Sequence, residues 1–202
     1  WIAEHHFSRY GIFLSLMPII SHIGAQTKTI RLGTGVSVLP FHNPIRLAEE
    51  TAKVDLLSNG RFNFGVRRGS ADSEYGNFKI DFDSRDEHFR EVSDIILGLW
   101  ATENLTYHGS YYQVDALIIA PGPLQKPHPR VHVTVSRTTS SIDIAVAWDL
   151  PVLTHYFTPT TDTLALINLY YERCALVGKT SQMAEMSFFR FIYLSALNFE
   201  FG

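Results

Sequence analysis

Four short segments of this chain carry residue types that could do chemistry together. The first is Glu4-His5-His6, a carboxylate followed by two vicinal imidazoles. An imidazole has an unperturbed pKa of about 6.5, so it can give or take a proton near neutrality. The second is Arg67-Arg68-Gly69, where a guanidinium could grip a phosphate with two parallel hydrogen bonds and the glycine would let backbone or ligand come close. The third is Ser136-Arg137-Thr138-Thr139-Ser140-Ser141, whose hydroxyls stand beside the N–H groups that open a helix and so make a seat for an anion. The fourth is His155-Tyr156. Each also has a plainer use by residue type alone: a satisfied core histidine, a solvated strand-end arginine, an ordinary serine cap. His5 and His6 are adjacent, so in a strand they point to opposite faces and cannot jointly hold one metal ion. No second set of carboxylates and histidines at ligand spacing accompanies them, and no metal site is assigned.

The elements that must position these segments alternate. Residues 1–6 read as a strand, 15–27 as a helix with Pro18 in its first turn, and Ile30 to Leu39 as a buried strand rich in Val, Thr and Gly. Asn43-Pro44 opens a helix, since Asn caps and Pro fits the first helical position. That helix puts Ile45, Ala48, Ala52 and Leu56 on one face and stops at Asn59-Gly60. His42 and Asn43 are accounted for by capping. Arg61–Val66 is the next strand, and the polar stretch 69–83 reads as a long loop. Ser84-Arg85-Asp86-Glu87 has the form of a capping box ahead of a helix with Phe89, Val92, Ile96 and Leu99 at helical spacing. Residues 104–120 read as a hairpin around Gly109, with Tyr107, Tyr111 and Tyr112 in it, and Pro121 to Pro129 as a connector. Then come a strand at Val131–Val135, a helix at Ser140–Trp148, a strand at Pro151–His155, a helix at Thr161–Val177 ended by Gly178, and a strand at Met186–Ser195. Trp100, Trp148 and Cys174 read as core.

Strands alternating with crossover helices mark a parallel α/β sheet. A complete (β/α)8 TIM barrel takes about 250 residues. These 202 residues fit one barrel domain, 1–202, lacking its first and last strand–helix units, a piece of a longer protein. An open doubly wound sheet is the alternative, but no strand is followed by a Gly-x-Gly-x-x-Gly turn. In a barrel the site lies at the carboxyl ends of the strands, and all four segments fall there.

Composition excludes several classes. Seventeen basic residues face twenty acidic ones, for a net charge of −3 with no basic run, so no nucleic-acid or polyanion surface is expected. Apolar stretches fall short of the roughly 18 residues that a spanning helix needs, and no membrane association is expected. A single cysteine, Cys174, rules out an internal disulfide and fits a reducing cytoplasm.

In chain order, Trp1-Ile2-Ala3-Glu4-His5-His6-Phe7, Val38-Leu39-Pro40-Phe41-His42-Asn43-Pro44-Ile45-Arg46-Leu47-Ala48-Glu49-Glu50 and Arg61-Phe62-Asn63-Phe64-Gly65-Val66-Arg67-Arg68-Gly69 resemble the bacterial luciferase-like monooxygenase family. The resemblance runs from residue 1 to about 195, strong through 100 and loose after 155. It implies a flavin-dependent enzyme that uses reduced FMN, supplied by a separate flavin reductase, and O2 to oxygenate a small organic substrate through a peroxyflavin. It further implies that His5 lines the flavin pocket and handles protons, with His6 behind it. The FMN phosphate is implied to sit on Arg68, Ser140 and Ser141, with Thr138 one residue of register less certain. In the family a non-proline cis peptide lies in the strand beneath the flavin ring, and Gly35-Val36 stands at that place, where an ordinary strand glycine would read the same. A homodimer at full length is compatible with the resemblance. Two departures stand out. Arg67 replaces the cysteine of bacterial luciferase proper, which removes specific support for a bioluminescent aldehyde oxidase, and Asp149 replaces the glycine common before Leu-Pro. The intact Glu-His-His and Arg-Gly segments argue for the catalytic type. The alternatives are a non-catalytic flavin-binding protein on the same fold, a deazaflavin-dependent dehydrogenase and, third, a metal-dependent hydrolase.

Overall fold

The computed structural model describes residues 1–9, 13–135, 139–155, 158–179 and 186–188. The chain divides into two compact units, Trp1–Val133 and Thr134–Gly202. The first contains helix α1 (Leu16–Gln26), strand β1 (Leu32–Val38), a 3-10 turn (Leu39–Phe41), helix α2 (Pro44–Leu57), strand β2 (Phe62–Arg67), helices α3 (Asp72–Phe78) and α4 (Arg85–Ala101), and a hairpin of β3 (Leu105–His108) and β4 (Gln113–Leu117). Strand β5 (Arg130–Val135) begins in it, and the division falls inside that strand.

Strands β1, β2 and β5 run parallel, with Leu32 opposite Phe62 and Asn63 opposite Arg130, and the β1–β2 register shifts between Thr34 and Ser37. Five of the six residues of β2 are buried, as a parallel strand covered on both faces must be. The segment expected as a strand over residues 1–6 joins this sheet at one point only. Ile2 bridges Thr34 in parallel, its N–H donating to the Gly33 carbonyl at 2.8 Å and its carbonyl accepting from Gly35 N–H at 2.6 Å. Residues 3–6 follow without strand structure, and Glu4 among them is buried.

Helix α2 begins as its sequence requires: the Asn43 side chain accepts from Ile45 and Arg46 N–H at 3.0 and 3.1 Å, with Pro44 in the first turn. It ends through Asn59 and Gly60, both in the left-handed region. Helix α4 packs against it, and Trp100 Nε1 donates to the Ala48 carbonyl at 3.1 Å. Arg61 closes the far end of α1: its guanidinium donates to the carbonyls of Gly24, Thr27 and Ile30, taking up groups that a helix end leaves unpaired.

Two further expectations change. Residues 69–83 are not wholly irregular, since they contain α3, which has Asp72 and Glu74 in its first turn and stops at left-handed Lys79. Seven residues are too few to show a helical period in sequence. The capping box at Ser84 does not form: Ser84 precedes α4 with φ −83° and ψ 3°, and its hydroxyl donates to the Asp81 carbonyl at 2.8 Å.

The second unit contains helix α5 (Ser140–Ala147), strand β6 (Val152–Thr154), helix α6 (Thr160–Leu176) and strand β7 (Met186–Phe188), with β6 and β7 parallel. The remainder of the strand expected over 186–195 lies outside the described residues. Asp149 has φ +57°, a left-handed backbone that favours glycine, and Lys179 pairs with its carboxylate at 2.8 Å. Among the described residues no helix is long and apolar enough to cross a membrane. The molecule is an α/β fold with parallel strands.

Candidate functional site

Glu4 is the centre of the histidine segment. Its carboxylate, on a residue only 4% exposed, faces His6 Nε2 at 2.7 Å, His42 Nε2 at 2.9 and 3.0 Å, and Val38 N–H at 3.1 Å. An ionised carboxylate only accepts hydrogen bonds, so both rings must present Nε2–H, a tautomer fixed by the partner. Burial pushes the Glu4 carboxyl up. The hydrogen bonds from His42 and His6, the attraction of His42 and the Val38 N–H outweigh it, and hold the group below its ordinary value. The hydrogen bond to Glu4 in turn raises His6 above an ordinary histidine, against the opposing effect of its burial.

His42 therefore has a role that helix capping did not anticipate; Asn43 alone caps α2. The 3-10 turn, closed by His42 N–H on the Leu39 carbonyl at 3.0 Å, aims the ring back at Glu4. No local pattern could have linked two residues 38 positions apart; only the placement of residues 1–6 beside the end of β1 does so.

His5, half-buried, is pushed down. Burial is the main cause, and Arg67 and His6 add to it against the pull of Glu74 and Glu4. Its neutral imidazole is the form favoured near neutrality, competent as a base. His6 is anchored a second time, its backbone N–H donating to Glu74 Oε1 at 3.0 Å, and its ring meets the edge of Phe78 at 4.9 Å. Phe41 stacks on Phe78 at 4.7 Å, so this end of the sheet has an aromatic wall.

The arginine turn follows β2. Arg68 Nη1 donates to Asp86 Oδ1 at 2.5 Å, its side chain 19% exposed, and Arg67 Nη2 donates to the Ser70 hydroxyl at 2.9 Å. Gly69 has φ +85°, and a Cβ there would lie 2.8 Å from Val38 Cγ1 and 3.1 Å from Tyr75 Cε2, so conformation and space both require glycine. The Tyr75 hydroxyl donates to the Arg68 carbonyl. Burial raises the Tyr75 phenol, opposed by the charges of Arg85, Arg67 and Arg68. Arg85, hidden inside the expected capping box, donates to the Phe82 carbonyl at 2.6 Å and lies 4.0 Å over the Phe82 ring.

The Gly35–Val36 peptide bond is cis, as the resemblance implies. Trp1, itself partly exposed, sets its indole edge-on to buried His132 at 5.2 Å and covers Gly33, where a Cβ would fall 2.6 Å from the ring. Burial, with the charges of Arg130 and Arg31, pushes His132 down to about 4.

The remaining predicted residues belong to the second unit. Ser140 and Ser141, half-buried, form the first turn of α5, and His155, half-buried, follows β6. Thr138 lies outside the described residues, as do Ser136, Arg137 and Tyr156. The first unit thus brings Glu4, His5, His6 and Arg68 to neighbouring segments joined through α3, and adds His42, Glu74, Tyr75 and Arg85, to which sequence reasoning gave no part in the site.

A family model described as luciferase-like monooxygenase matches residues 1–196. The oxygenase component of the flavin-dependent trigonelline monooxygenase of Acinetobacter baylyi is 36% identical over 148 residues, covering 72% of this chain and 41% of that protein. The solved structure of monooxygenase RslO1 from Streptomyces bottropensis matches with a TM-score of 0.85 at 25% identity, over 92% of this chain and 57% of that one. The oxygenating constituent of 3,6-diketocamphane monooxygenase from Pseudomonas putida, solved in complex with FMN, shares the fold with a TM-score of 0.77 at 18% identity, over 92% of this chain and 56% of that one. The chain therefore spans well under two thirds of each of these proteins.

Proposed function

The chain belongs to the luciferase-like monooxygenase family, and on that premise we propose that it binds reduced FMN at the strand ends and uses dioxygen to oxygenate a small organic substrate. The observation that carries this reading is the pairing, within one unit, of a carboxylate-held histidine segment with an arginine turn shaped by Gly69. These residues suit a flavin mononucleotide. Arg68 offers a guanidinium to the phosphate, with the charges of Arg67 and Arg85 in the same unit, and Gly69 permits the left-handed turn that follows it. Ser140 and Ser141, in the second unit, keep the role that the family resemblance implies for them, as hydroxyl and N–H donors to a phosphate. Gly35 and Val36 are assigned to the floor beneath the ring system.

Bound reduced flavin would supply the electrons and activate dioxygen. The chain's own work is narrower. His5 takes or returns one proton at its imidazole nitrogen. His6, held by Glu4 and by the Glu74 carboxylate, fixes the backbone from which His5 projects. Phe41 and Phe78 keep water from the histidine end. A separate flavin reductase supplies the reduced cofactor, by analogy with the oxygenase component named above, and residence in the cytoplasm with that reductase belongs to the same reading.

The test is equilibrium dialysis of the protein and its Arg68→Ala variant against FMN, riboflavin and a deazaflavin. Arg68→Ala is expected to weaken FMN by about 1.5–3 kcal/mol, the scale of a charge-assisted hydrogen bond, and riboflavin much less. Equal losses for the two flavins would remove Arg68 from the phosphate, and a preference for the deazaflavin would move the enzyme to a hydride-transfer class.

A further inference from the structure

We propose that helix α3 is a two-point latch: Glu74 holds the histidine segment, Tyr75 holds the Arg68 turn, and Tyr75 is thereby a positioning residue for the phosphate grip. The inference rests on the flavin reading above and deepens it.

Glu74 and Tyr75 are consecutive, and both are buried, at 9% and 0% exposure. Their polar atoms go to different segments. The Glu74 carboxylate accepts from His6 N–H at 3.0 Å, across 68 positions of chain, and the Tyr75 hydroxyl donates to the Arg68 carbonyl. The Tyr75 ring fills the place that a side chain on residue 69 would need, and is itself braced edge-on by Phe41 at 4.8 Å and Phe82 at 5.3 Å. A seven-residue helix has no stability of its own in water, so α3 persists through such contacts. Of its two buried polar side chains, one reaches the segment assigned to proton handling and the other the turn assigned to the phosphate.

Arg68 is consequently fixed at both ends. Tyr75 holds its backbone carbonyl and Asp86 holds its guanidinium at 2.5 Å. A site built to grip an anion must keep its donors within about 0.5 Å of their working positions, and a strand-end turn with φ +85° at its glycine needs an outside partner to do so. The phenol supplies that partner, and Glu74 sets the same helix against the histidines.

The experiment compares the protein with Tyr75→Phe and Glu74→Ala, with Glu74→Gln as the conservative rescue, because an amide oxygen still accepts from His6 N–H. Amide hydrogen exchange is read first, without flavin. Tyr75→Phe is expected to speed exchange in peptides spanning 67–71 about tenfold while leaving 130–135 unchanged, and Glu74→Ala to do the same at 5–8, reversed in Glu74→Gln. FMN and riboflavin dialysis is read second. Tyr75→Phe is expected to weaken FMN about tenfold and riboflavin less than twofold, the scale of one lost hydrogen bond. Unchanged exchange at 67–71, or equal weakening of both flavins, would overturn the latch. Arg68→Ala, run alongside, separates the two ideas. If it discriminates the flavins and Tyr75→Phe does not, the latch fails alone. If neither does, the phosphate reading fails, and the latch as a device for that phosphate fails with it.

Discussion

Glu4 has exchanged water for donors from two imidazoles and one peptide, and its ionised state is the condition on which the histidine segment keeps its shape. The paired shifts define a pH window. Glu4 is depressed, so its contribution to stability is present above the ordinary carboxyl value of 4.5 and is lost as pH falls through its lower folded value. His6 is raised, so its contribution is present below the ordinary 6.5 and is lost as pH rises through its higher folded value. The stability difference between the protein and His6→Gln should therefore be largest between those two values and should shrink as pH rises above 6.5, as denaturant titrations at a series of pH values will measure. A difference that grows with pH would mean the ring is not held by a charged Glu4. For His5, exchange to alanine should leave FMN affinity within severalfold and lower coupled product per reduced flavin by roughly 10²-fold, the scale of proton-transfer groups; unchanged coupling would take His5 out of the mechanism. The Arg68 turn was legible in sequence because Gly69 marks the end of β2, whereas the strand expected over residues 1–6 is a single bridge at Ile2. His42 and Tyr75 were not legible, because their partners, Glu4 and the Arg68 carbonyl, come from other segments of the chain.

At the scale of elements, legibility followed length and punctuation. Helix α2 could be read from Asn43-Pro44 to Gly60 because its cap and stop are written in residues with special backbone chemistry. Helix α3 could not, being short and polar. The hairpin could be read from Gly109, but its attachment could not. Glu91 of α4, buried, accepts from the N–H groups of Ser110, Tyr111 and Tyr112 at 2.5, 3.0 and 3.2 Å, and His88 stacks on Tyr111 at 3.6 Å. The tyrosines thus serve the hairpin's seat on α4. Glu91→Ala leaves several peptide N–H groups without their acceptor and is expected to cost about 2–3 kcal/mol, with faster amide exchange confined to 109–113. Glu91→Gln, which keeps an acceptor oxygen, should lose less. Equal effects of the two variants would assign the cost to packing.

Over the whole molecule, the parallel order of the strands was legible from alternation alone, whereas the division of the chain inside β5 has no counterpart in composition or punctuation. One buried group affects the stability of the fold as a whole. His132 is held at about 4 against an unfolded value near 6.5, so the folded state binds fewer protons across that interval and stability falls as pH drops through it. The loss approaches a value on the order of 3 kcal/mol near pH 4. Against that imidazole the chain sets the indole of Trp1, edge-on at 5.2 Å. An imidazolium quenches indole fluorescence where a neutral imidazole does so weakly. The first residue is consequently an optical gauge of the charge at the sheet's interior. Its emission should dim as acid reaches His132, in a step near pH 4 that vanishes in Trp1→Phe while Trp100 and Trp148 go on emitting. A step that survived that substitution would sever the indole from the titration.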